Sequence, residues 1–78
     1  MDIKKIFKAL SATEAREIIS KCGLELDEIP IATNLFVDKK PRLFICDEYC
    51  LSLGKYHYML NRIIPKIQSY LKLKLFKH

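Results

Sequence analysis

The sequence predicts a small α+β domain built from two short N-terminal helices, a β-hairpin and a long basic C-terminal helix. Three observations carry that expectation. Apolar residues recur at helical spacing through residues 2–22 and again from Lys55 to Leu71. Between those stretches, β-forming residues flank a polar Asp38-Lys39-Lys40-Pro41 centre. The excess of positive charge lies wholly in the last third of the chain.

The first element follows from Ile3, Ile6, Phe7 and Leu10, which share one helical face while Lys4, Lys5 and Lys8 occupy the other. Ser11 then offers an N-cap, and Glu14 three residues later completes a capping box for a second helix. That helix places Ala15, Ile18, Ile19 and Cys22 on one side, and Gly23 supplies its stop. In LELDEIPIATN, Pro30 predicts an extended Ile29 and no continuing helix. NLFVDKKPRLFI then reads as the hairpin, although its loop has no Gly or Asn to supply positive φ. The connector CDEYCLSLG, ending at Gly54, carries no pattern that assigns it to a class.

In the last element, Tyr56, Leu60, Ile63, Ile64, Ile67, Tyr70 and Leu71 fall within about 120° of one another at 100° per residue. Lys55, Arg62 and Lys66 align within about 40° on a different face. Pro65 projects away from the apolar side, which predicts a kinked helix or two helices meeting there. Beyond Leu71, LKLKLF alternates in a way that suits an edge strand or a frayed end.

Composition bounds the function. The 78 residues give room for one domain, residues 1–78, and no second core. Half of them are apolar and 29% are charged, the balance of a folded rather than a disordered chain. A domain of this size buries only about 60–65% of its unfolded surface, so a partner would add to its stability. MDIKKIFKAL is charged every few residues and does not read as a signal peptide. No apolar run approaches the ~18 residues of a membrane span. Three cysteines without a dense framework fit a reducing cytoplasm.

The charge distribution singles out one end of the molecule. Between Asp2 and Glu48, nine acidic residues and eight Lys and Arg nearly cancel. From Leu51 onward there are six basic residues and no acid, within a net charge of +5. The partner expected of that end is anionic.

No catalytic constellation emerges. Cys46 and Cys50 at C-x3-C spacing, with His57 seven residues on and Cys22 elsewhere, are zinc-ligand types but lack a second paired set. As small buried hydrophobes they need no metal, and no cofactor is expected. Cys50 with His57 as a nucleophile pair lacks an orienting group and an oxyanion hole. Asp47-Glu48, adjacent carboxylates that would point apart on a strand, read as a solvated turn. With two glycines in all, the chain has no phosphate-cradling loop.

The functional candidates are therefore basic. Lys55, Arg62 and Lys66, joined less regularly by Lys72, Lys74 and Lys77, are placed to meet phosphates or an acidic protein surface. Tyr56, Tyr58 and Tyr70 lie among them, and an exposed tyrosine there would stack on a base. Lys39, Lys40 and Arg42 at the expected hairpin tip form a second exposed group. A membrane-surface role is disfavoured because the apolar face of the long helix is needed for the core.

One stretch also carries a resemblance. The residues are Leu10-Ser11, Glu14-Ala15, Glu17-Ile18-Ile19, Lys21 and Gly23-Leu24, followed by Asp27-Glu28-Ile29-Pro30. They resemble the start of a small archaeal RNA polymerase subunit family. Its domain also forms the C-terminal part of the fifth subunit of the eukaryotic nuclear polymerases. The resemblance covers residues 10–30 and implies a small α+β assembly domain without catalysis, docked on a large polymerase subunit. It assigns no binding residue in this chain. The expectation from the whole sequence is a non-enzymatic interaction module that docks on a larger cellular or viral machine. The alternative is a nucleic-acid-binding protein that uses the basic C-terminal helix.

Overall fold

Capping chemistry sets the first two helices. In the computed structural model, which describes residues 2–76, the Asp2 carboxylate accepts hydrogen bonds from the backbone N–H groups of Lys4 and Lys5 at 3.1 and 3.4 Å. That cap opens α1 (Ile3–Ala9). Ser11 Oγ accepts from the Glu14 N–H at 3.2 Å, and Glu14 Oε1 accepts from the Ser11 N–H at 3.1 Å. This reciprocal box starts α2 (Ala12–Lys21), and Gly23 at φ +83° ends it, as the sequence predicts.

The middle of the chain departs from expectation. Helix accounts for 77% of the described residues and none of them lies in a strand, so the fold is all-α rather than α+β. Pro30 begins a helix instead of preventing one. It occupies the third position of α3 (Glu28–Ala32), within the first turn, where a backbone N–H would have no intrahelical partner. The α+β architecture implied by the polymerase resemblance is corrected along with the hairpin.

In place of the expected first hairpin strand stands a π-helical turn, Thr33–Val37, continuous with α3. Its signature is the Asp38 N–H donating to Thr33 O at 3.0 Å, five residues back. Side chains support this widened turn: Thr33 Oγ1 donates to Ile29 O and Asn34 Nδ2 to Pro30 O, both at 2.8 Å. A turn does follow at residues 38–41, and Lys39 supplies the positive φ (+57°) in the absence of a Gly or Asn. The second expected strand is instead α4 (Arg42–Glu48), entered from an extended Pro41. Two strands alone would form a marginal hairpin, whereas Ile31, Ala32, Phe36 and Ile45 can all reach a common core on helices.

The unassigned connector resolves into the end of α4, a tight reversal at Cys50 (φ +53°), and the start of α5 (Leu53–Phe76). Ser52 Oγ accepts from the Lys55 N–H at 3.1 Å and so caps α5, with Gly54 inside its first turn. The helix passes through Pro65 as one element and continues to Phe76, so the alternating LKLKLF pattern is helical rather than an edge strand. Its 24 residues give a length of about 36 Å, close to the molecule's long dimension of 42 Å. Among the described residues, no helix is long and apolar enough to cross a membrane.

α5 is the spine. Tyr56, Met59, Ile63, Ile67 and Leu71 form its buried stripe, Met59 being the one member that the sequence pattern did not single out. Against it pack Ile3 and Phe7 of α1, Ala15, Ile18 and Ile19 of α2, and Ile31 and Ala32 of α3. Phe36 from the π-helical turn stacks on Phe7 with ring centroids 4.8 Å apart. Each fully buried large apolar side chain contributes roughly 1.5–3 kcal/mol relative to exposure.

Two positive-φ positions give a matched prediction. Cys50→Gly relieves a left-handed conformation at an exposed residue and should raise stability by about 0.5–1 kcal/mol in chemical denaturation. Gly23→Ala should lower it by a similar amount, through backbone conformation alone, since an added Cβ would meet nothing within 4 Å. A Cys50→Gly midpoint equal to or below that of the parent chain contradicts this account of the reversal.

Candidate functional site

The basic stripe on α5 is partly spoken for by a buried acid. Glu28, the first residue of α3, is only 2% exposed. Its Oε1 accepts from Lys66 Nζ at 2.7 Å and from the Glu25 N–H at 2.8 Å. Its Oε2 lies 3.6 Å from Arg62 Nε. Burial alone would raise the Glu28 pKa. The Lys66 and Glu25 hydrogen bonds, with the charges of Lys66 and Arg62, outweigh burial and hold the carboxyl below its ordinary value. Arg62 and Lys66 are therefore fastenings between α5 and α3, and of the three aligned cations only Lys55 has no acidic partner among the described residues.

The tyrosines divide as their faces dictate. Tyr56 is core and Tyr70 is half-buried against it. Tyr58 is 55% exposed, with Lys55 Nζ 5.4 Å and Arg62 Cζ 5.9 Å from its ring centre. Lys72 and Lys74 are exposed farther along α5, and Lys77 lies outside the described residues.

The second group of candidates, Lys39, Lys40 and Arg42, borders a feature that the sequence did not reveal. A groove of about 470 Å³ runs between α1 and the π-helical turn, lined by Lys4, Phe7, Lys8, Leu35, Phe36, Lys39 and Lys40. Lys4 and Lys8 stand one turn apart on the same side of α1. Lys39 Nζ donates to Phe7 O at 3.3 Å, which ties the left-handed residue across to the end of α1. A second groove, of about 490 Å³, shares Lys4, Leu35 and Lys40 and extends past Arg42 and Leu43 to Tyr56 and His57. Neither groove is lined by a carboxylate. No protein family, curated protein or solved structure matches the chain. The chemistry of this basic face therefore carries the functional reading.

The other candidates do not assemble. Among the described residues, no three of His, Cys, Asp and Glu converge as metal ligands. Cys50 is exposed beyond the end of α4, Cys46 is half-buried on that helix, and His57 faces the second groove. Cys22 lies apart, half-buried at the end of α2, where burial pushes its thiol pKa up and makes it a poor nucleophile. Asp47 and Glu48 are exposed, but on the last turn of α4 rather than in a turn. Lys4 and Lys8 escape sequence reasoning because they look like the ordinary polar face of a short helix. Their i, i+4 spacing is visible there, but the packing of a distant turn against that face is not.

The Glu28 site yields a pH-dependent prediction with a definite sign. A carboxylate whose folded-state pKa is depressed stabilises the fold fully above its unfolded value, ordinarily near 4.5, and loses that contribution as pH falls through the folded value. Glu28→Gln should cost about 2 kcal/mol at neutral pH. It should also flatten the decline in stability below about pH 4.5, measured by denaturant titrations across the acid range. Parallel pH profiles for the two proteins would show that Glu28 is not the group responsible.

Proposed function

We propose that the protein is a small non-enzymatic interaction module that docks on a larger protein partner through the basic face of α1, the π-helical turn and the start of α4. The observation that carries this reading is the rim of Lys4, Lys8, Lys39, Lys40 and Arg42 around two adjoining grooves without a lining carboxylate. Such a face meets an acidic protein surface with complementary charge. Exposed apolar side chains at its border, Leu43 at 74% and Phe44 at 41%, suit a protein rather than a purely ionic contact. Phe44 also lies under Lys40, whose Nζ is 4.9 Å from the ring centre. The grooves bring together no nucleophile with an oriented base, which favours binding over chemistry. The resemblance of residues 10–30 makes the transcription apparatus one kind of larger machine to test for.

The second reading is nucleic-acid binding through α5. Its support is the exposed Tyr58 between Lys55 and Arg62, an arrangement suited to stacking on a base beside a phosphate. It is the weaker of the two, because Arg62 and Lys66 are occupied with Glu28.

Affinity purification of the tagged protein from cells that make it, after exhaustive nuclease digestion, separates these readings. The expected result is a stoichiometric protein partner that survives digestion. It should be lost from the Lys4→Glu, Lys40→Glu, Arg42→Glu triple variant and kept by Lys55→Glu. If every partner disappears with the nucleic acid, and Lys55→Glu weakens that capture, the nucleic-acid reading replaces the first.

A further inference from the structure

We propose that the groove between α1 and the π-helical turn receives an acidic linear segment of the partner, with one large apolar side chain seated between carboxylates that meet Lys4, Lys8 and Lys40. This inference rests on the interaction-module reading of the same face and names its occupant.

Four features of the groove select that chemistry. The rim is cationic on both sides, from Lys4 and Lys8 on α1 and from Lys39 and Lys40 after the π-helical turn. Lys39 is anchored on Phe7 O, so its charge is held in place, while Lys4, Lys8 and Lys40 are exposed and have no acidic partner among the described residues. Within the rim, the half-buried Leu35 and the aliphatic stems of the lysines offer apolar contact. The volume of about 470 Å³ lies in the range of about 300–1,000 Å³ typical of small-ligand sites. It has room for a large side chain with its flanking backbone but not for a whole helix.

The same features weigh against a nucleic acid in this groove. Phe7 and Phe36 are stacked on each other and are 1% and 3% exposed, so neither presents a ring face to a base. A phosphate backbone would satisfy the lysines and leave the apolar part of the groove uncovered. A segment bearing Asp or Glu on both sides of a Leu, Phe or Met uses both parts. The site itself is built on the π-helical turn, which sets Leu35 and Phe36 against α1. Turns of this kind recur at functional sites.

The test is fluorescence polarisation with the full chain and a set of short labelled peptides in which Asp and Glu flank a central Leu, Phe or Met. Control peptides of equal charge carry Ser at the centre, and a thymidine oligonucleotide of equal charge serves as competitor. At least one apolar-centred peptide should bind, and its Ser counterpart should bind at least about tenfold more weakly. The Lys8→Glu, Lys40→Glu double variant should lose a further factor of about ten or more, and its Ala counterpart should lose less. Lys72→Glu and Lys74→Glu, away from the groove lining, should leave binding unchanged. Helicity and thermal melting of each variant separate lost contacts from lost fold.

The proposal is overturned if none of the peptides binds, if the Ser controls bind as well as the apolar ones, or if the oligonucleotide displaces them at equal concentration. Loss of the cellular partner from the Lys4, Lys40, Arg42 triple variant, without any peptide binding, removes this occupant and leaves the interaction module standing. Retention of the partner by that variant removes the module reading itself.

Discussion

A single buried carboxylate organises this fold. Glu28 sits almost wholly out of water, a position that is costly for a charge unless donors surround it. The donors come from three places: the backbone of the preceding loop at Glu25, and the side chains of Arg62 and Lys66 on α5. One side chain thus fastens the loop after α2, the first turn of α3 and the middle of the longest helix to a common point. Such a tie is directional, whereas the apolar contacts around it are not. It specifies which face of α3 meets α5, and apolar burial then supplies most of the stabilisation.

The consequences run outward from that tie. With α3 held, Ile31 and Ala32 turn into the core and the π-helical turn carries Phe36 onto Phe7. That stack seats the turn against α1, and Lys39 closes the junction by donating to Phe7 O. Arg16 and Asp38, 3.6 Å apart, add an exposed link from α2 to the same turn. The basic groove is the space left along this junction. Its floor is core and its rim is solvent, so the site is rigid below and adaptable above.

The sequence displays its local chemistry well and its long-range chemistry poorly. Ser11, Glu14 and Gly23 announce α2 because capping is decided within a few residues. Tyr56, Ile63, Ile67 and Leu71 announce the buried stripe of α5 because amphipathic spacing survives whatever it packs against. The hairpin fails because Leu35, Phe36, Val37, Leu43, Phe44 and Ile45 suit a strand and a buried helix equally, and tertiary contact decides between them. Pro30 misleads because its position relative to the helix start, invisible in the sequence, determines whether it breaks or begins one. The functional candidates divide in the same way. Lys39, Lys40 and Arg42 are legible as an exposed turn, whereas Lys4 and Lys8 join them only through folding. Arg62 and Lys66 are claimed by an acid 34 and 38 residues away in the chain.

The π-helical turn has a consequence for how this chain tolerates length change. Closing a ring from Thr33 to Asp38 uses one residue more than an α-helical turn would. A chain shortened by one residue within 33–37 would let α3 run on as a regular helix, with every backbone bond intact. Everything after it would then arrive rotated by about 100°, the angle of one helical residue. Phe36 would leave Phe7, and the lysines that follow would face away from α1. The groove thus depends on a register that a single deleted codon would erase without unfolding the helix that carries it.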